Sequence, residues 1–232
     1  MNAETENSRP SSHLVFARDL VAYIDRSPTP WHCVAESALR LSQAGFSAIS
    51  ESDTIGLGPG EGGFICRDGA IIAFRLGTES PEISGFRLIG AHTDSPNLRL
   101  KPNAEVGKAG YRTLGVEVYG GTLNYSWLDR DLGLAGRVFV RVPGSPIPEA
   151  RLVDLRKPLC RIPSLAIHLN REVNTEGLKL NTQQHLAPMF GMNPNHKKDE
   201  GQVLKSLLAS ELGLSAEQIL SWDLCLTDTL AP

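Results

Sequence analysis

The sequence predicts an α/β protein carrying a β-rich insert, and three observations lead there. Two stretches of helical period open the chain. A set of short apolar runs follows, the last of them ending in His92-Thr93-Asp94. Between about residues 100 and 180 no long helical period occurs, only short β-like runs between Gly and Pro breakers.

In chain order, residues 1–12 are polar and read as a loose tail. Leu14, Ala17, Val21 and Ile24, flanked by Phe16 and Leu20, fall on one helical face. Ser27-Pro28-Thr29-Pro30 ends that helix and starts another. Thr29 can cap it, Pro30 suits its first position, and Gly45 closes it after Val34, Ala38 and Leu41. The period then changes. Residues 64–66, 70–76 and 86–91 read as strands, the first two joined by Arg67-Asp68-Gly69, where Asp-Gly between apolar runs signals a hairpin.

After Pro102, residues 115–119, 136–142, 151–155 and 165–168 form short β-like runs. They are broken by Gly120-Gly121 and by Pro143-Gly144-Ser145-Pro146, as in a small sandwich or barrel. Residues 181–201 are polar and read as an exposed loop. Over 202–212 the helical period returns, with Val203, Leu204, Leu207, Leu208 and Leu212 on one face, Asp199 as a start and Gly213 as a stop. Ser215 and Gln218 read as the capping pair of a short helix, and residues 222–227 as a last strand.

Composition narrows the function. The 232 residues are 41% hydrophobic and 21% charged, which suits a soluble globular chain able to bury a core. A formal net charge of −3 gives no electrostatic case for a nucleic-acid or anionic-membrane partner. Cys33, Cys66, Cys160 and Cys225 lie far apart with no C-x-x-C pair, so they fit a reducing cytosol and read as small buried hydrophobes. No apolar run reaches the roughly 18 residues of a membrane span. The N-terminus lacks a basic segment followed by an apolar one, so no secretory signal is expected.

The chemistry centres on His92 and Asp94. Side chains alternate along a strand with period two, so His-x-Asp at a strand end puts imidazole and carboxylate on one side. That suits a ligating imidazole with a carboxylate beside it, acting on a metal or on the water it activates; it is also the pattern of an ordinary capped strand end. His168 follows Leu165-Ala166-Ile167 and reads as a structural histidine facing a polar turn. His32, in the first turn of the second helix, reads as a surface residue; His185 and His196 read as solvated, and His13 belongs to the tail. Asp129-Arg130-Asp131 reads as a solvated ion-pairing turn or an assembly contact. There is no His-Glu-x-x-His, Gly-x-Ser-x-Gly elbow or Walker loop. The residues alone therefore offer one ligand candidate with its carboxylate neighbour.

Longer blocks add a resemblance. They are Pro28-Thr29-Pro30-Trp31-His32, Gly90-Ala91-His92-Thr93-Asp94-Ser95-Pro96, Tyr119-Gly120-Gly121, Trp127-Leu128-Asp129-Arg130-Asp131-Leu132, Leu134-Ala135-Gly136-Arg137-Val138, Arg161-Ile162-Pro163 with Leu165-Ala166-Ile167-His168-Leu169, and Leu224-Cys225-Leu226-Thr227-Asp228-Thr229. They stand in the order seen in aspartyl aminopeptidases, and the chain resembles that family from about residue 14 onward.

The resemblance implies a cytoplasmic zinc metallo-aminopeptidase. Such an enzyme removes N-terminal, preferably acidic, residues from peptides by metal-activated water and holds two zinc ions when complete. It also implies an α/β catalytic domain interrupted by a β-rich dimerisation insert, with dimers as building blocks of dodecamers. The implied divisions are a flexible tail over 1–12, the first part of the catalytic domain over 13–100, the insert over 101–221 and a return to the catalytic domain over 222–232.

Residue by residue, His92 matches the first metal ligand, and Asp94 the catalytic carboxylate that orients it or tunes the metal. His168 matches an insert histidine reaching the neighbouring subunit's active site, either as a metal ligand or as a catalytic group polarising the substrate carbonyl. Family members carry their remaining ligands and the general-base glutamate well past residue 232. The chain is thus expected to be an N-terminal portion, inactive alone. The other reading is a non-catalytic assembly module.

Overall fold

The computed structural model describes residues 12–193 and 202–230. Helix α1, Ser12–Asp25, forms where the apolar spacing asks for it, yet its stripe is uncovered: Phe16 and Leu20 are 75% and 57% exposed. Polar contacts hold it instead. Helix α2, Pro30–Gln43, gives Arg40 to both oxygens of Asp19, at 2.9 and 2.8 Å, and Ser37 Oγ lies 2.7 Å from the Tyr23 hydroxyl. As expected, α2 begins on Pro30 and its chain reverses at Gly45, where φ is 82°. Thr29 takes the N-cap position, but its hydroxyl lies 2.7 Å from His32 Nδ1 instead of bonding the helix backbone.

Strands β1 (Ser47–Ala48), β2 (Gly62–Arg67) and β3 (Ala70–Arg75) form a small sheet in that order. The Asp68-Gly69 loop closes the β2–β3 hairpin, with Arg67 paired to Ala70. A four-residue helix, α3 (Pro81–Ser84), follows.

Residues 86–91, expected as a strand, are not one. They run without a ladder partner, and Phe86, Leu88 and Ile89 stand almost fully exposed. A strand exists only when a neighbour pairs its N–H and C=O groups, and among the described residues none does.

The remainder is one curled sheet of six strands. β4 is Asn97–Lys108 and β5 is Tyr111–Tyr119, joined through Ala109 and Gly110 at φ 51° and 82°. Left-handed backbone at both positions matches the twist of the strands it connects. β6 (Leu132–Val140) and β7 (Glu149–Cys160) make the next hairpin. Residues 165–168, expected as a β run, instead enter a single 3-10 turn, Ile167–Leu169, because Leu169 N bonds locally to Ala166 O at 2.8 Å. Two short helices follow, α4 (Val173–Glu176) and α5 (Thr182–His185). The stretch 181–201 is not all loop: β8 (Met189–Met192) pairs with β5 at the sheet edge. Asp199 and His196 lie outside the described residues. Helix α6, Gln202–Leu212, forms as expected, and Ser215 and Gln218 make the reciprocal capping box of a 3-10 turn leading into β9, Ile219–Asp228.

The sheet order is β7-β6-β9-β4-β5-β8. The strand expected over 222–227 is β9, which begins at Ile219 and lies at the centre of the six-stranded sheet, paired with β6 from Leu132–Asp228 to Val140–Ile219 and with β4 at Arg99–Cys225. The sheet curls until its two ends meet at one corner, where Arg161 and Met189 exchange backbone bonds of 3.0 and 2.8 Å. Leu98, Leu114, Leu134, Leu155, Leu224 and Leu226 fill the concave side, and α6 covers them with Leu204 and Leu208. Each such side chain withdrawn from water stabilises by about 2 kcal/mol. The architecture is mixed α/β with a β-sheet half-barrel, as the sequence predicts.

Three cysteines, Cys33, Cys160 and Cys225, are buried and Cys66 is exposed; all four are free thiols. Burial pushes Cys160 up to about 12 and Cys225 up to about 11, so neither is a nucleophile at neutral pH. No helix among the described residues is long and apolar enough to cross a membrane.

Candidate active-site segment

His92 and Asp94 lie on the short segment between the unpaired residues 86–91 and the start of β4. They do meet, though not through strand alternation. The chain turns, and His92 Nδ1 comes within 2.7 Å of the Asp94 carbonyl oxygen and 3.2 Å of its carboxylate Oδ1. Both oxygens only accept, so Nδ1 is the donor, and in the neutral ring Nε2 is then the nitrogen with the lone pair. The ring is 80% exposed. Between the two, the Thr93 hydroxyl donates to Gly69 O at 2.6 Å and pins the segment to the β2–β3 turn.

The other side of Asp94 is held from a distant part of the chain. Tyr119, the last residue of β5, donates its hydroxyl to Asp94 Oδ2 at 2.6 Å. That bond, ahead of the neighbouring imidazole, holds the Asp94 carboxyl below the usual carboxylate range. Tyr119 pairs across the ladder with Asn97, and Gly120, at φ 71°, then turns the chain back over Pro96. Sequence reasoning quoted Tyr119 within the Tyr119-Gly120-Gly121 block but gave it no role at the site. Its only local signal is a tyrosine before Gly-Gly at the end of an alternating run.

His168 stands exposed on the 3-10 turn beyond β7. The Asp129-Arg130-Asp131 turn fixes the base of that loop: Asp129 Oδ1 accepts from Ser164 N at 3.0 Å, Asp131 pairs with Arg161 at 3.4 Å, and Arg130 pairs with Asp228 of β9. It is an ion-pairing turn. His185 accepts from Asn181 N at 3.0 Å, and His32 is half-buried against Thr29, its pKa lowered by burial.

Among the described residues no three His, Cys, Asp or Glu side chains converge as a metal-holding group, so His168 does not join His92 and Asp94. A zinc site takes about three or four protein donors. His92 fits one of them, with a carboxylate behind the ring as metal-binding histidines ordinarily have. The described residues therefore fit one ligand of a zinc ion, not a complete site.

Comparison with known proteins agrees along the length of the chain. The model of the family described as "Aminopeptidase I zinc metalloprotease (M18)" matches residues 23–231. "Probable M18 family aminopeptidase 2" of Streptomyces coelicolor is 45% identical over 214 residues, 92% of this chain and 47% of that protein. Among solved structures, one of the Ape4 and Nbr1 complex superposes with a TM-score of 0.84 at 35% identity, covering 93% of this chain and 44% of that one. The S. cerevisiae mApe1 dodecamer superposes at 0.76 with 28% identity, covering 93% and 48%. The chain spans about half the length of the curated relatives it matches. With a family model aligned over most of its residues, the chain belongs to the M18 peptidase family.

Proposed function

We propose that this chain is the N-terminal part of a zinc-dependent aminopeptidase, and one observation carries the reading. In a chain of the M18 family, His92 keeps its proton on the nitrogen facing Asp94 and leaves Nε2 exposed as a donor. Zinc, when bound, acts as a Lewis acid that polarises a carbonyl and acidifies water. His92 supplies one donor, Asp94 orients it, and the rest of the donor set for two ions comes from residues outside this sequence. The roughly twofold length of the curated relatives leaves room for them. Residues 13–100 then belong to the catalytic domain, 101–221 to the insert, and 222–232 lead back toward it.

The proposed substrates are peptides with an acidic N-terminal residue, and the proposed compartment is the cytoplasm. His168 serves the site of a neighbouring subunit, as a metal ligand or as a substrate contact. Exposed Leu165, Ile167 and Leu169 around it favour a homo-oligomer, a dimer or a larger assembly such as the mApe1 dodecamer. A non-catalytic assembly module rests on the same apolar side chains.

The 232 residues alone are expected neither to hold two zinc ions tightly nor to hydrolyse peptides. Equilibrium dialysis against zinc and an aspartyl-anilide assay test this on the chain and on the longest polypeptide its reading frame encodes. Equal turnover by the two overturns the partial-chain reading. Unchanged zinc content and activity on His92→Ala in the longer polypeptide overturn the ligand assignment.

A further inference from the structure

Asp94 is gripped from two sides, and only one grip comes from its own segment. Oδ1 and the carbonyl face His92 Nδ1, while Oδ2 takes the Tyr119 hydroxyl. We propose that Tyr119 is a positioning residue for the metal ligand, fixing Asp94 so that its carbonyl oxygen, with the carboxylate beside it, faces His92 Nδ1, which holds the proton there and offers Nε2. This rests on the reading of His92 as a ligand.

The physical need is specific. The terminal torsion of an aspartate is soft, so its carboxylate plane swings freely unless both oxygens are engaged. A neutral imidazole can carry its proton on either nitrogen, and the hydrogen bond at one nitrogen decides which lone pair is offered at the other. A hydroxyl donating to the far carboxylate oxygen makes a charge-assisted bond, stronger than a neutral one. It fixes the carboxylate plane and keeps Oδ1 toward the ring.

Tyr119 is held in place by the fold, not by its own flexibility. It closes the β4–β5 ladder opposite Asn97, three residues beyond Asp94. Directly after it, the left-handed Gly120 lies over Pro96; a Cβ there would stand 3.5 Å from that proline. The half-barrel therefore carries one rigid point, the end of β5, to the segment that bears the ligand. Without that contact, the hydrogen bond that ties the 92–94 segment to another part of the chain, among the described residues, is that of Thr93 to Gly69.

The test uses Tyr119→Phe, which removes one oxygen and keeps the ring. In nitrogen-labelled, metal-free protein at about pH 8, above the ordinary histidine range, long-range proton–nitrogen NMR correlations of His92 report which ring nitrogen is protonated. The wild type is expected to show a protonated Nδ1 and a bare Nε2. Tyr119→Phe draws the two nitrogen shifts together, and Asp94→Asn does so further, with the amide signals of β4 and β5 unmoved.

In the longest polypeptide the reading frame encodes, the Kd for zinc rises about tenfold in Tyr119→Phe. His92 ring shifts identical to wild type in Tyr119→Phe overturn the proposal, whatever the zinc affinity does. Shifts that respond while His92→Ala retains wild-type zinc uphold Tyr119 as the group that positions the ring, and overturn only the ligand reading.

Discussion

The guanidinium of Arg137, on β6, lies 4.6 Å from the centre of the Trp31 ring on α2. The same group reaches Asp68 of the β2–β3 turn at 2.8 Å and Asp223 of β9 at 3.2 Å, and Arg99 of β4 takes the other oxygen of Asp223. One cation thus joins a helix and a hairpin of the first unit to the six-stranded sheet. A lysine supplies a point charge and cannot stack flat while bonding two carboxylates. Arg137→Lys is therefore expected to cost about 1–2 kcal/mol in urea unfolding. A double-mutant cycle with Trp31→Leu is expected to give a coupling near 1 kcal/mol; additivity of the two changes refutes the stacking contribution.

Gly136 of β6 lies opposite Leu224 of β9. A Cβ at this position would stand 2.0 Å from the Asp223 carbonyl oxygen, inside the ladder that forms the centre of the sheet. Backbone cannot swing aside as a side chain can, so Gly136→Ala is expected to destabilise by about 3 kcal/mol. Gly144 is the control. Its φ of 79° is left-handed and strained for alanine, but a Cβ meets nothing within 4 Å, so Gly144→Ala carries backbone strain alone, roughly 1 kcal/mol. Equal losses for the two variants in thermal unfolding would dismiss the collision.

Glu36 gives the small helical layer its acid sensitivity. It is 7% exposed and bonded to Arg40 at 2.8 Å and Arg26 at 3.3 Å, and the Arg40 bond foremost holds its carboxyl below the ordinary range. A carboxyl with a lowered folded-state pKa stabilises fully above its unfolded value of about 4.3. That contribution is lost as pH falls through the folded value. Glu36→Gln is expected to cost about 1–2 kcal/mol at pH 7 and to flatten the loss of stability below about pH 4.5. Denaturant midpoints across the acid range decide it; parallel curves for wild type and variant remove Glu36 as a contributor.

What was legible in the sequence was whatever one stretch of chain decides for itself. The helix limits at Pro30 and Gly45, the Asp68-Gly69 hairpin, the Ser215/Gln218 cap and the β runs that became β5, β6, β7 and β9 are of this kind. Residues 86–91 show the limit: their apolar run cannot say which strand lies beside it. β8 was hidden because four residues with a glycine among them carry no alternation to read. At the site, the His92–Asp94 pair was found through their nearness in sequence, although a turn and not a strand brings them together. Tyr119 reaches Asp94 across 25 positions, a relation set by the β4–β5 register and by no local pattern.

Asp129 is the residue whose loss should free the His168 loop without touching the core. Its backbone is left-handed, φ 57°, a conformation that aspartate and asparagine tolerate better than most side chains. Its Oδ1 holds Ser164 N at 3.0 Å and its own N donates to Ile162 O at 2.9 Å, so both strands of the loop base close on one residue. Asp129→Asn keeps the acceptor and the tolerance, and should behave as wild type. Asp129→Ala loses both, which should raise hydrogen exchange at Ser164 about tenfold, the equivalent of one hydrogen bond of about 1.4 kcal/mol. It should also open residues 161–188 to limited proteolysis while the amides of β6 and β9 stay protected. If the alanine variant exchanges and cleaves like wild type, the Asp129 carboxylate holds nothing, and the loop rests on the Arg161–Asp131 pair and the backbone bonds of Asp129 and Arg161.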